Sequence, residues 1–241
     1  MVKVILFDLD GTLLPMDTDA FINTYLSKLA PSVAEIVDPD RFVKALLTGT
    51  EAMIRSKDRE KTNEQVFEEA FLPLIELKKE AIWPALDHFY DNVFPTFSYL
   101  SKPSPLSRKI VEEAGNQGYR LAVATNPLFP RTAIHHRLQW ADVADIPFDL
   151  VTVYEESTYT KPHAEYYMEI CSRLDVRPED CIMVGNDIQE DMVASEIGMK
   201  TFLVEGYVID RGEPHYRIDD RGTLEALFRK LQRKEGIFAE K

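Results

Sequence analysis

Residues 2–8, Val2-Lys3-Val4-Ile5-Leu6-Phe7-Asp8, are apolar and branched with almost no alternation. Such a run predicts a strand buried on both faces, as parallel strands are when helices cover them. Four later runs are comparable: 119–125, 148–154, 181–185 and 200–204. Each adjoins a helical stretch of about 10–15 residues, which is the βαβ rhythm. The pattern predicts an α/β fold with a doubly wound, mostly parallel, Rossmann-like sheet whose first strand begins at residue 2.

Residues from about Asp17 to Phe94 interrupt that rhythm. Apolar side chains recur three and four apart there, as in Phe21, Tyr25, Leu26 and Leu29, or Phe67, Ala70, Phe71 and Leu74. That spacing is helical, and the block is too long for a single crossover. It reads as an all-helical subdomain over 16–96, inserted into an α/β core formed by 1–15 and 97–241. Its exit carries Pro95, Pro103 and Pro105, suited to a hinge or linker. Inside the block, Thr48-Gly49-Thr50 breaks the pattern and reads as a helix–helix turn, or else as a specificity loop facing the core.

Charge narrows the partners. The 241 residues carry 28 Lys and Arg against 41 Asp and Glu, a net charge of −13. That balance argues against general affinity for nucleic acid or anionic membrane. No stretch approaches the ~18 apolar residues of a spanning helix, and the N-terminus enters its first strand without the parts of a secretory leader. Two cysteines, Cys171 and Cys181, are too few for a disulfide framework. The expectation is a soluble cytoplasmic protein with no nucleic-acid or membrane partner; the oligomeric state is not readable.

Four segments at predicted strand ends carry chemistry. Asp8-Leu9-Asp10-Gly11-Thr12 puts two carboxylates on the same side of an extended chain, where open α/β sheets bind ligands. They need a cation or a shared proton to coexist, unless they are two solvated turn residues. Thr125-Asn126 offers a hydroxyl and main-chain N–H groups to a phosphate, or is ordinary turn chemistry. Lys161-Pro162 opens a helix over about His163–Leu174, with Pro162 in its first turn. Alone, that lysine is a surface residue. Asp187 and Asp191 share a face if a helix starts at once, although capping also accounts for Asp187. Together these groups suit Mg²⁺ and a phosphate.

In this order and at these strand ends, the four segments resemble the haloacid dehalogenase (HAD) superfamily, in its phosphatase-type branch. The resemblance covers residues 1–15 and about 97–220. It implies Asp8 as nucleophile, Asp10 as general acid/base, Thr125 and Lys161 as phosphate-holding groups and Asp187 as a metal ligand supported by Asp191. Asp8 and the Asp10 carbonyl would join Asp187 around Mg²⁺, while Leu9, Asp10, Thr125, Asn126 and Lys161 would hold the phosphate. Asn186 stands where some relatives have a second acid, and Ala164 replaces a usual proline. The long gap between Asp10 and Thr125 is similar to the branch with a helical cap between the first two motifs.

The resemblance further implies that Asp8 attacks phosphorus to give an aspartyl phosphate, with a small phosphorylated metabolite as substrate. A sugar phosphomutase shares every core residue. A phosphonatase would need a Schiff-base lysine, for which the block offers Lys28, Lys44, Lys57, Lys61, Lys78 and Lys79. A 2-haloacid dehalogenase lacks the second Asp of the first motif, and a receiver-type signalling domain has a different motif order. His135, His136, Trp83 and Trp140 read as packing or surface residues, and Lys230, Arg233 and Lys234 as a solvated face.

Overall fold

The computed structural model describes residues 2–239. Strand β1 (Val4–Phe7) leads into four helices, α1 (Thr18–Ser32), α2 (Pro39–Arg55), α3 (Asn63–Ile75) and α4 (Lys79–His88). A π turn (Phe89–Val93) and a 3-10 helix (Phe94–Leu100) follow. The chain then alternates: α5 (Pro105–Asn116), β2 (Arg120–Val123), α6 (Arg131–Trp140), β3 (Leu150–Val151), α7 (Ala164–Leu174), β4 (Cys181–Gly185), a 3-10 helix (Met192–Ile197) and β5 (Lys200–Val204). It closes with β6 (Asp220–Gly222), α8 (Leu224–Arg233) and a 3-10 helix (Gly236–Phe238).

The six strands lie in the order β3-β2-β1-β4-β5-β6, and every pairing is parallel. Both faces are buried, as the unalternating apolar runs require. Ile5, Phe7, Val123 and Val184 face one apolar layer, while Val4, Leu6, Ala122 and Met183 face the other. Phe7 is in register with both Val123 and Val184. The residues after these three strands therefore emerge at one level, where the chain order reverses around β1.

Three sequence expectations are corrected. Run 148–154 forms a strand only over Leu150–Val151, an edge strand bonded to β2 through Asp149 N to Leu121 O (2.8 Å) and Thr152 N to Val123 O (3.0 Å). The predicted helix over His163–Leu174 begins at Ala164, so Pro162 lies outside it; His163 N first closes a turn onto Thr160 O at 3.1 Å. The third is Thr48-Gly49-Thr50, which lies within α2 and makes no turn. Gly49 is buried there, and a Cβ on it would stand 2.7 Å from the Phe67 ring. The glycine serves the close approach of α2 and α3, and the flanking threonines hydrogen-bond back to Lys44 O and Leu46 O, both at 2.9 Å.

The helical block is tied to the loops beyond β2 and β3. Buried Asn63 at the start of α3 donates from its amide to Pro127 O (3.2 Å) and Tyr159 O (3.3 Å), and from its main chain to Ser157 O (2.8 Å). Thr62 and Gln65 form a reciprocal capping box that fixes this helix start. The two connections to the block run side by side, with Lys102 N donating to Pro15 O at 2.7 Å. Trp140 packs flat on Phe94 at 5.5 Å, as a packing residue would. Lys230 is less solvated than expected: it pairs with Asp220 and lies over the Phe202 ring at 5.7 Å.

Candidate active site

β1 delivers Asp8 at the carboxyl edge of the sheet, and the chain turns at once. Gly11 has φ +81°, and a Cβ on it would stand 2.3 Å from the Asn186 amide nitrogen. Only glycine meets both demands. Thr12 Oγ1 donates to Asn186 Oδ1 (2.9 Å), and Asn186 Nδ2 donates to Tyr207 O (2.6 Å). Asn186 thus braces the first loop against the fourth.

Lys161 is the hub. It is 2% exposed, and its Nζ donates to Asp8 Oδ1 (2.8 Å) and Asp191 Oδ1 (2.6 Å). Burial disfavours its charged form, but the two carboxylates outweigh that and hold its pKa well above the usual lysine value. Asp191 is held in turn by Asp187 N, which donates to its Oδ2 at 2.9 Å. The carboxylate lies directly over Gly185, where a Cβ would be 2.1 Å from Asp191 Oδ2. Burial pushes the Asp191 carboxyl up, with Lys161 pulling against it.

The second strand contributes Thr125 and Asn126. Thr125 is buried, and its carbonyl accepts from Thr152 Oγ1 (2.7 Å) and Tyr166 OH (2.8 Å). Asn126 accepts from Lys161 N at 3.2 Å and donates to Glu190 Oε2 at 3.1 Å.

Asp187 closes a turn and also faces the site. Its Oδ1 accepts from Gln189 N (3.0 Å) and Glu190 N (2.9 Å), bonds that brace the turn and cap no helix. Arg211 Nη1 then reaches both of its oxygens, at 2.8 and 2.6 Å. No α-helix follows; residues Met192–Ile197 form a 3-10 helix instead. Asp191 meets Asp187 through the turn, whose Asp191 N donates to Asp187 O at 2.9 Å.

Asp8, Asp10, Thr125, Asn126, Lys161, Asp187 and Asp191 line one cavity of about 170 Å³. Leu9 differs: its side chain is buried in the apolar core, which leaves only its main chain for a ligand. Three further charged residues line the cavity that the sequence reading missed: Arg137, Glu190 and Arg211. Arg137 was detectable, since it shares the inward stripe of α6 with Ala133, Ile134 and Leu138. Arg211 comes from a loop without a distinguishing pattern.

Arg137 is 2% exposed and pairs through Nη1 with Asp10 Oδ2. Its guanidinium lies over the Phe129 ring at 4.5 Å. Asp10 Oδ1 and Arg137 Nη2 are buried without a partner. Burial raises the Asp10 pKa and the Asp8 charge adds to that, while Arg137 pulls it down. Burial likewise raises Glu190.

Residues 2–196 match the haloacid dehalogenase-like hydrolase family. The chain belongs to that family. This HAD-like hydrolase is 27% identical over 227 residues to a glyceraldehyde 3-phosphate phosphatase of Methanothermobacter thermautotrophicus, a match covering 89% of this chain and 91% of that one. It is 23% identical over 240 residues to the pyrophosphatase PpaX of Bacillus cereus, covering 96% and 99%. Its fold is similar to that of a HAD phosphatase from Thermococcus onnurineus, with a TM-score of 0.59 at 22% identity over 95% of this chain and 98% of that one. No helix among the described residues of the hydrolase is long and apolar enough to cross a membrane.

Proposed function

We propose that this hydrolase is a Mg²⁺-dependent phosphatase of small phosphate monoesters that works through an aspartyl phosphate on Asp8. The observation that carries the reading is Lys161. A fully buried ammonium bonded to Asp8 beside Asp10, Thr125 and Asp187 is a cation fixed where a phosphoryl group would meet a carboxylate nucleophile. The names of the relatives, both of them enzymes acting on phosphate compounds, point the same way.

The residues fit Mg²⁺ by donor chemistry. Among the described residues no group of three or more His, Cys, Asp or Glu side chains is set to hold a metal ion. Mg²⁺ does not need one, since it keeps several waters and takes one or two carboxylates with substrate phosphate. Asp8, the Asp10 carbonyl and Asp187 supply hard oxygens of that kind. The cavity also holds five carboxylates (Asp8, Asp10, Asp187, Glu190, Asp191) against three cations (Arg137, Lys161, Arg211), a formal deficit of two positive charges. When bound, the metal would screen the nucleophile from the anionic phosphate.

In the first step the Asp8 carboxylate attacks phosphorus as the ester oxygen leaves with a proton from Asp10. In the second, water attacks the phosphorus of the acyl phosphate, gives its proton to Asp10 and restores the Asp8 carboxylate. Lys161 and the Thr125 hydroxyl hold the oxygens on which charge spreads. Residues 16–96 act as a cap that covers the site and reads the leaving group, and the protein works in the cytoplasm. The phosphonatase alternative loses support, because no lysine of that block lines the cavity. Phosphate release from a monoester panel with and without Mg²⁺ tests the reading. Turnover that requires the metal and vanishes in Asp8→Asn is expected; chloride release from a haloacid without metal would overturn it.

A further inference from the structure

A second cavity of about 160 Å³ lies between the helical block and the loop after β2. It shares Ile22, Leu128 and Phe129 with the catalytic cavity, so the two adjoin along a common wall. Its remaining apolar lining comes from three helices of the block and the start of a fourth, with Leu26, Leu29, Leu46, Phe67, Trp83 and Leu86. Polar groups are few. The Tyr25 and Tyr90 hydroxyls are hydrogen-bonded to each other at 2.7 Å, and Thr50 and Tyr154 add two more. Among the described residues no Lys or Arg lines this chamber, whereas Asp87 does. Lys79 stands over Trp83 at 4.9 Å, but Glu64 and Glu68 both bond its ammonium.

We propose that this chamber seats an apolar, uncharged leaving group, so that the substrate is the phosphate monoester of an alcohol or phenol about the size of one aromatic ring. The inference rests on the phosphatase reading of the adjoining site. Size follows from volume, since an apolar cavity of about 150 Å³ admits benzene. Charge follows from the lining: a second phosphate or a carboxylate would meet Asp87 and apolar walls at a heavy desolvation cost, and the nearby Arg137, stacked on the shared Phe129, is already paired with Asp10. Orientation follows from the shared wall, which puts the chamber beside the carboxylates and Lys161 rather than on another face. The Tyr25–Tyr90 pair gives the few polar contacts that fix a bound group in a mostly apolar pocket.

The test is kcat/KM across the n-alkyl phosphates from methyl to hexyl and phenyl phosphate, set against pyrophosphate, glyceraldehyde 3-phosphate and phosphoglycolate. Acetyl phosphate serves as a minimal substrate that needs no chamber. Each added methylene is expected to raise kcat/KM about threefold until the chamber is full, on the order of a hundredfold from ethyl to hexyl. In Leu46→Asn the hexyl-to-methyl ratio falls at least tenfold. Leu47→Asp, at a chamber residue that is 52% exposed and so tolerant of change, gives the same fall if the first variant folds poorly. Binding of hexylphosphonate, which cannot be hydrolysed, gives a readout separate from chemistry. Asp8-dependent turnover of acetyl phosphate with a flat alkyl series, or with phosphoglycolate or pyrophosphate preferred, overturns the inference and leaves the phosphatase reading standing. Chain-length-dependent phosphonate binding without phosphate release from any ester supports the chamber and contradicts the phosphatase reading.

Discussion

Arg137 and Asp10 stand 127 residues apart in the chain and meet as an ion pair inside the cavity at the carboxyl edge of the sheet. The guanidinium is fully enclosed, while the Asp10 side chain keeps 19% of its surface. Removing one partner of such a pair leaves a charge without its counterpart. Arg137→Met is therefore expected to cost about 3 kcal/mol in urea unfolding, the lower end for a broken buried pair. It is also expected to slow ester hydrolysis more than Arg137→Lys, which keeps the charge but loses the planar fork. Equal kcat in both variants would show that Arg137 does not position Asp10.

Gly49→Ala is expected to destabilise the protein by about 1–3 kcal/mol, although alanine is the better helix former by about 1 kcal/mol. The new methyl group would press on the Phe67 ring at 2.7 Å, inside the contact between α2 and α3. Thermal unfolding checks this, and a raised melting temperature would refute the close approach.

The first and fourth segments illustrate how much of the site was legible. Asp8, Asp10 and Asp187 follow apolar runs that read as buried parallel strands, and the register of those strands sets them at one level. Glu190 and Arg211 were missed because their roles depend on tertiary contacts, which leave no period or motif, whereas Arg137 left a trace as the one charge on the buried stripe of α6. Strand β6, Asp220-Arg221-Gly222, was illegible for a related reason: it has no apolar run and is held by pairing with β5. The Thr48-Gly49-Thr50 reading failed because a glycine that serves helix packing looks the same in sequence as one that makes a turn.

Arg211 occupies both oxygens of Asp187, and its side chain is 51% exposed, so it is free to swing away. A cation binding Asp187 must displace it. Arg211→Gln is therefore expected to lower the half-saturating Mg²⁺ concentration about fivefold, equivalent to about 1 kcal/mol for an exposed pair. Metal titration calorimetry reads this directly; weaker Mg²⁺ binding in the variant would mean that Arg211 helps to build the site.

Far from the site, Arg108 grips Asp145 with two hydrogen bonds of 2.8 and 2.9 Å and pulls its carboxyl down to about 2. The folded value lies below the unfolded one, so this pair stabilises the protein above about pH 4 and ceases to do so as pH falls through about 2. In urea titrations the difference between wild type and Asp145→Asn is expected to be present at pH 7 and to vanish near pH 2. A difference that persists at pH 2 would exclude the ion pair as its source.

In the proposed reaction Asp8 carries the phosphoryl group. Rapid acid quench during turnover of a monoester, followed by mass spectrometry of the peptide containing Asp8, measures it most directly. Turnover in heavy-oxygen water completes the test, because hydrolysis at phosphorus puts the label in released phosphate and leaves Asp8 unlabelled. The expected result is a phosphorylated Asp8 peptide, absent in Asp8→Asn, with labelled phosphate. Phosphate release that persists in Asp8→Asn without a phosphoenzyme, or label found in the Asp8 carboxylate, would contradict it.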